Sequence, residues 1–262
     1  MDGNGGLREV CVRLGSKGQQ LLRLVCLSHA GAGAAPFFEL ASRMPAEVGV
    51  LGLRLPGRES RIAEAGYEDL AVLLRDLREA ICRDGDLPVV LLGDCSGAIV
   101  MFELAHALLS TACRPVHLFC LSQEAPQHWE AGSGLHELSR VELVTWLAET
   151  GGTDTELLEC EEFVDIIEGA VRADLRLLDG YVCPARPPLP LPITALCGRN
   201  DHEAALELAL DWGAQTADRF SLHVLSGEHF LVESASDELR DSIVGELLPV
   251  LGALGAERWQ LQ

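Results

Sequence analysis

"LLGDCSGAIVMFELA", residues 91–105, sets Gly93, Cys95 and Gly97 in a Gly-x-Cys-x-Gly turn between two apolar runs of different character. The run before it, "LPVVLLGD", is short and β-branched, as a buried strand is. The run after it, "GAIVMFELAHALL", is longer and fits a buried helix. Strand, sharp turn and helix make the setting of a nucleophile elbow, where small flanking residues permit a strained backbone. The central side chain then stands above the sheet at a helix N-terminus, whose dipole favours an anion. Cys95 is therefore the candidate nucleophile, against the alternative of a small core cysteine. Ser96, although it carries the hydroxyl, falls one residue past the apex.

The same alternation recurs along the chain. Strands are predicted at 21–29, 48–55, 88–94, 115–122, 192–198 and 220–226, with helices near 67–83, 97–110, 203–214 and 236–253. This is the pattern of an α/β fold, a mostly parallel central sheet flanked by helices. Residues 1–20 give no clear element. From Leu135 to Tyr181 the alternation stops and the sequence reads as helix only. Ser139 and Glu142 form a capping box there, and Gly151-Gly152 ends the first helix. About 45 helical residues exceed what one crossover needs, so a helical lid insertion is expected over about 124–182 of a single domain. Pro-rich "PARPPLPLP" (184–192) stiffens the return to the sheet.

Composition narrows the function. The 262 residues carry 20 Lys+Arg against 40 Asp+Glu, a net charge of −20, which disfavours nucleic acid as a partner. No apolar run reaches the length of a membrane span, and "MDGNGGLREV" lacks a signal-peptide pattern, so a cytoplasmic protein is expected. Nine scattered cysteines without a Cys-x-x-Cys fit a reducing compartment. Cys113, His117 and Cys120 are a poor metal set, because strand alternation turns His117 and Cys120 to opposite faces.

Six stretches, "LVCLSHAGAGAAPFFELA", "LGLRLPGRESRIAE", "LLGDCSGAIVMFELA", "LRLLDGY", "ITALCGRND" and "VLSGEHFLVE", occur in this order between about Leu21 and Val250. Together they resemble the type II thioesterases of polyketide and nonribosomal peptide synthases. That family has an α/β-hydrolase fold with a helical lid, and hydrolyses acyl groups from the phosphopantetheine arms of acyl or peptidyl carrier proteins without a cofactor. The resemblance puts the nucleophile on Cys95, the acid on Asp201 and the histidine on His229, the order α/β-hydrolases use. It also puts one oxyanion N–H on Ala30, while the elbow itself supplies that of Ser96. Asp201 and Asn200 have an alternative reading as helix caps. His29 shapes the oxyanion turn, and His106, His136, His202 and His223 read as surface or core.

Three positions depart from the family pattern: cysteine for the usual serine at 95, Asp94 for histidine, and Glu228 for glycine before the catalytic histidine. Carboxylates facing the site would oppose a thiolate. Sulfur matters chemically, since passing an acyl group from a carrier thiol to Cys95 exchanges one thioester for another and keeps it activated. Transfer to an amine, a hydroxyl or a second carrier is thus the alternative to hydrolysis, with a non-catalytic carrier-binding protein a more distant one. An acidic chain needs a local basic patch to dock an acidic carrier, and Arg54, Arg58 and Arg61 are the candidates.

Overall fold

The computed structural model describes residues 10–15, 18–201 and 206–260. Among them a seven-stranded sheet runs in the order β1-β3-β2-β4-β5-β6-β7. The strands are β1 (Cys11–Arg13), β2 (Leu22–Leu27), β3 (Val48–Leu53), β4 (Val89–Asp94), β5 (Pro115–Leu121), β6 (Ile193–Gly198) and β7 (Phe220–Leu225). All neighbours are parallel except β1, which lies antiparallel on β3. Each of the six expected strands is present, one to three residues shorter than read. The segment before residue 20 differs from expectation, because Cys11–Arg13 hydrogen-bonds along the edge of β3. Three residues are too few for periodicity to reveal.

Both faces are apolar because both are covered. On one side lie α2 (Leu70–Arg83) and α3 (Ser96–Leu108), on the other α1 (Phe37–Arg43) and α8 (Ser236–Gln260). In α2, Leu73, Leu77, Ala80 and Ile81 form one buried stripe. Asp69 caps it by accepting the Ala71 and Val72 amides. The expected helix at 203–214 is partly outside the described residues; its described part is a single turn, α7 (Leu206–Ala209), running into a 3₁₀ segment at 210–215.

The chain reverses direction across the sheet between β3 and β4, so the C-terminal ends of β2 and β4 lie side by side at a topological switch point. In open α/β sheets this crevice is where ligands bind. Above it the β5–β6 connection carries α4 (Arg140–Thr150), α5 (Thr155–Leu158) and α6 (Glu161–Asp179). The capping box of Ser139 and Glu142 is formed, and Gly151 closes α4 at φ 76°. These helices share an apolar core of their own, centred on Leu143, Leu147, Leu158, Val164 and Val171. The return is anchored by Arg186, which grips buried Glu103 of α3 at 2.6 and 2.9 Å beside the Tyr181 hydroxyl at 2.7 Å.

Arg23 is a second buried anchor. From β2 it donates to the carbonyls of Ile81, Gly85 and Leu87 at the end of α2 and pairs with Asp84 at 3.3 Å. Replacing Arg23 with Met leaves those carbonyls without their donor and Asp84 with Arg13 alone, at 2.8 Å. Chemical denaturation is expected to show a loss of about 3 kcal/mol or more, and a change below about 1 kcal/mol would show that the anchor is energetically idle.

Candidate active site

Cys95 sits at the elbow with φ 51° and ψ −128°, a conformation non-glycine residues rarely hold. Its flanking glycines explain how. A Cβ on Gly93 would lie 2.4 Å from the Ala98 Cα, and one on Gly97 would lie 2.6 Å from the carbonyl oxygens of both Leu27 and Ser28. Only glycine lets α3 start this close to β2. The turn is pinned by the Cys95 amide on the Leu121 carbonyl at 2.9 Å and the Ala98 amide on the Cys95 carbonyl at 2.8 Å.

Asp201 and His229 come from the loops after β6 and β7. Two backbone bonds bind those ends together, Arg199 N–H to the Leu225 carbonyl and Asn200 N–H to that of Gly227, and Asp201 N–H to the Gly198 carbonyl closes the turn after β6. Gly198 permits the approach, since a Cβ there would meet the Glu228 carbonyl at 2.2 Å. The His229 Nδ1 lies 3.1 Å from both oxygens of Asp201, whose side chain is 1% exposed. The Cys95 side chain lines the same chamber as the ring. Burial disfavours the imidazolium, but Asp201 and Cys95 beside the ring outweigh it and push His229 up to about 11. Cys95, Asp201 and His229 are thus brought together in one chain of contacts. The capping alternative for Asn200 and Asp201 concerns residues 202–205, which lie outside the described residues, as does His202.

The Ala30 N–H donates to the Ser96 hydroxyl at 3.1 Å, so the two expected oxyanion residues touch across the switch point. His29 contacts its own turn through Nδ1 at 3.2 Å from the Ala30 carbonyl. Burial lowers it to about 4, which keeps it neutral and unfit as a proton donor at pH 7. The ring of Phe230 packs on His29 at 4.5 Å and on His229 at 4.8 Å.

The departures from the family pattern differ in where they point. Glu228 is exposed, its amide bound to the Ser234 hydroxyl at 3.1 Å. Asp94 is 1% exposed at the end of β4, and its Oδ1 has no hydrogen-bond partner among the described residues. Burial pushes it up to about 7; His229 pulls it down, while Glu233 and Asp201 push it further up. Arg54, Arg58 and Arg61 do not form the expected basic patch. Arg58 and Arg61 are buried, and the three pair with Glu59, Asp174 and Glu64 respectively. The carboxylates that neutralise them are Glu59 and Glu64 of the same loop and Asp174 of distant α6. His117 bonds Thr194 at 2.9 Å and stacks on Phe119, while Cys120 joins the core of the opposite face.

A chamber of about 120 Å³ opens at Cys95, lined by Ser96, His229 and Phe230 below and by Trp146, Leu147 and Leu175 of the insertion above. On one side it shares walls with a cleft of about 380 Å³ that reaches Glu124, His128 and Glu130. On the other, past the contact of Phe230 with Gly152, lies a cleft of about 540 Å³ under α4 and α6.

Residues 22–247 match the thioesterase domain family. The chain belongs to the thioesterase family. It is 32% identical over 220 residues, 82% of this chain and 84% of the relative, to a protein named linear gramicidin dehydrogenase LgrE from Brevibacillus parabrevis. It is also 32% identical over 231 residues, 88% of this chain and 90% of the relative, to the gramicidin S biosynthesis protein GrsT from Aneurinibacillus migulanus. Among solved structures, the type II thioesterase BorB from the borrelidin biosynthetic cluster superposes with a TM-score of 0.81 at 30% identity, over 93% of this chain and 98% of that one. The architecture of this thioesterase-family chain is accordingly the α/β-hydrolase fold, and no helix among its described residues is long and apolar enough to cross a membrane.

Asp94 yields a test. Its ordinary value is 3.8 and its folded value about 7, so between these the folded chain keeps a proton that the unfolded chain has released. Stability therefore falls as pH rises through that window, by about 1.4 kcal/mol per pH unit at most. Asp94→Asn is expected to flatten the fall and to melt above the wild type at pH 8. Parallel melting curves of the two proteins from pH 4 to 8 would contradict this account.

Proposed function

We propose that this chain hydrolyses acyl groups held as thioesters on the phosphopantetheine arm of an acyl or peptidyl carrier protein, through a covalent Cys95 thioester. The observation that carries the reading is the His229 imidazole between the Asp201 carboxylate and the Cys95 side chain at a positive-φ elbow. In the first half, His229 takes the thiol proton and Sγ attacks the thioester carbonyl. Asp201 holds the ring with Nδ1–H toward itself and stabilises the imidazolium. The oxyanion is received by the N–H groups of Ser96 and Ala30, and the Ser96 hydroxyl must turn away from Ala30 to admit it. Collapse breaks the C–S bond to the pantetheine sulfur, which leaves with the proton from His229. In the second half His229 deprotonates a water, the hydroxide adds to the acyl carbon, and the bond to Cys95 breaks. Free acid leaves and the thiol is restored. The insertion acts as a lid, its Trp146, Leu147 and Leu175 covering the acyl group.

The sulfur supports a second reading. A Cys95 thioester is as activated as the carrier thioester it came from, so an amine or a second carrier thiol entering the open 380 Å³ side can replace water. A dehydrogenase reading, suggested by one relative's name, fits poorly. In dinucleotide folds the glycine loop after a β-strand leaves its amides for a pyrophosphate. Here the Gly31, Ala34 and Ala35 amides after β2 are taken by carboxylates.

Intact-protein mass spectrometry with an acyl-carrier thioester tests both. Wild type is expected to release free acid, and Cys95→Ala to lose at least about 10³-fold in rate while melting normally. Cys95→Ser, whose oxygen ester is more stable, is expected to keep slow hydrolysis and to give no amide with added amine. Equal rates for wild type and Cys95→Ala would end the covalent reading. Discharge from wild type onto amine or carrier faster than onto water would favour transfer.

A further inference from the structure

The loop after β2, "SHAGAGAAP" (28–36), presents the Ala30 N–H yet consists almost wholly of small residues. Side-chain packing gives such a segment little to hold it, and fixing it costs about 1–2 kcal/mol per residue in backbone entropy. Its backbone is instead gripped by charged side chains. The Gly31 N–H donates to Asp174 Oδ2 at 2.8 Å, and the Ala32 carbonyl accepts from Arg58 Nη1 at 3.1 Å. The Ala34 and Ala35 N–H groups donate to Glu59 Oε1 at 2.9 and 3.1 Å.

These three side chains are themselves locked. Arg58 holds Asp174 through two parallel bonds, Nη1 to Oδ2 at 2.6 Å and Nη2 to Oδ1 at 2.9 Å, with 6% and 15% of the two side chains exposed. Glu59 pairs with Arg54 and stands at φ 48°, a strained conformation that lets it face the loop. The loop is also pressed onto α6: a Cβ on Gly31, itself at φ 84°, would lie 2.4 Å from Val171 Cγ2. The motif "PGRESR", whose arginines are unavailable for docking, thus finds a role beside the catalytic centre.

We propose that Arg58, Glu59 and Asp174 are positioning residues that clamp the 28–36 loop and hold the Ala30 N–H at the oxyanion position, so that α6 of the insertion sets the geometry of the hole. The catalytic part of this proposal rests on the function argued above. Carboxylates are suited to the grip because they accept several N–H bonds at once. The guanidinium forks supply what a carboxylate alone would spoil: Arg58 and Arg54 neutralise charges that would otherwise repel the developing oxyanion. The hole is then preorganised by groups that never touch substrate.

The test uses the full chain in three variants, Asp174→Ala, Asp174→Asn and the double Arg58→Met with Asp174→Leu. The double variant removes both charges and so avoids a buried unpaired one, the main threat to folding. Two readouts are taken: hydrogen exchange across residues 28–36, and kcat and KM on S-butyryl-pantetheine with Cys95→Ala as the blank. Exchange in the loop is expected to quicken by about 10-fold or more in the alanine and double variants. Their kcat should fall by about 10- to 100-fold with KM within about 2-fold, and Asp174→Asn, which keeps one acceptor for Gly31, should lie between. Unchanged exchange in the folded double variant overturns the clamp. Quickened exchange with wild-type kcat overturns its role in the hole. If wild type does not exceed Cys95→Ala, the hydrolytic reading and the role in the hole fall together, while the exchange data still judge the clamp.

Discussion

The backbone of Gly97 rests on the carbonyl oxygens of Leu27 and Ser28, and the site depends on that contact. It brings the first turn of α3 against the end of β2, so the amide of Ser96 and the loop bearing Ala30 come from different strands yet face one point. It also fixes where Cys95 stands, because a helix that begins this close to the sheet forces the residue before it into positive φ. The parallel register of β2 with β4, and of β4 with β5, carries the constraint outward. Even the distant Asp201 and His229 obey it, since their loops rise from β6 and β7 at the same end of the sheet.

Charge around Cys95 is arranged almost entirely out of contact with solvent. Asp201 and Asp94 are both about 1% exposed, but only Asp201 is engaged with the imidazole. Burial raises Asp94 to about 7, so near neutral pH it carries only part of a negative charge. One buried carboxyl thus stabilises the imidazolium while the other is only partly ionised beside it.

Much of this was legible in the chain. Apolar runs of six or seven residues marked the inner strands, because burial on both faces leaves few polar positions to confuse the pattern, and β7, half-exposed, still keeps enough apolar residues to be read. The elbow was legible because glycine spacing is a local property, and the resemblance pointed to the two loops that bring Asp201 and His229 together. What escaped was non-local. Strand β1 is three residues long and is defined only by its partner β3. The burial of Asp94 depends on which sheet face is covered, and the pairing of Arg58 with Asp174 joins residues 116 positions apart. An arginine of "PGRESR" looks like a surface charge in sequence when its counter-charge lies that far away. Nothing local to Asp174 distinguishes it from other acids on an amphipathic helix.

The insertion keeps a hydrophobic core separate from the two that flank the sheet. It leaves β5 next to the elbow and is fastened on return by Arg186 and Tyr181 to Glu103, well below the reacting atoms. Such a unit can change the residues that roof the chamber while its own packing keeps it folded. Natural variation in α4 can therefore explore new acyl preferences without passing through sequences that dismantle the floor of the chamber, and α6, pressed on the glycine loop, is the part of the roof least free to drift.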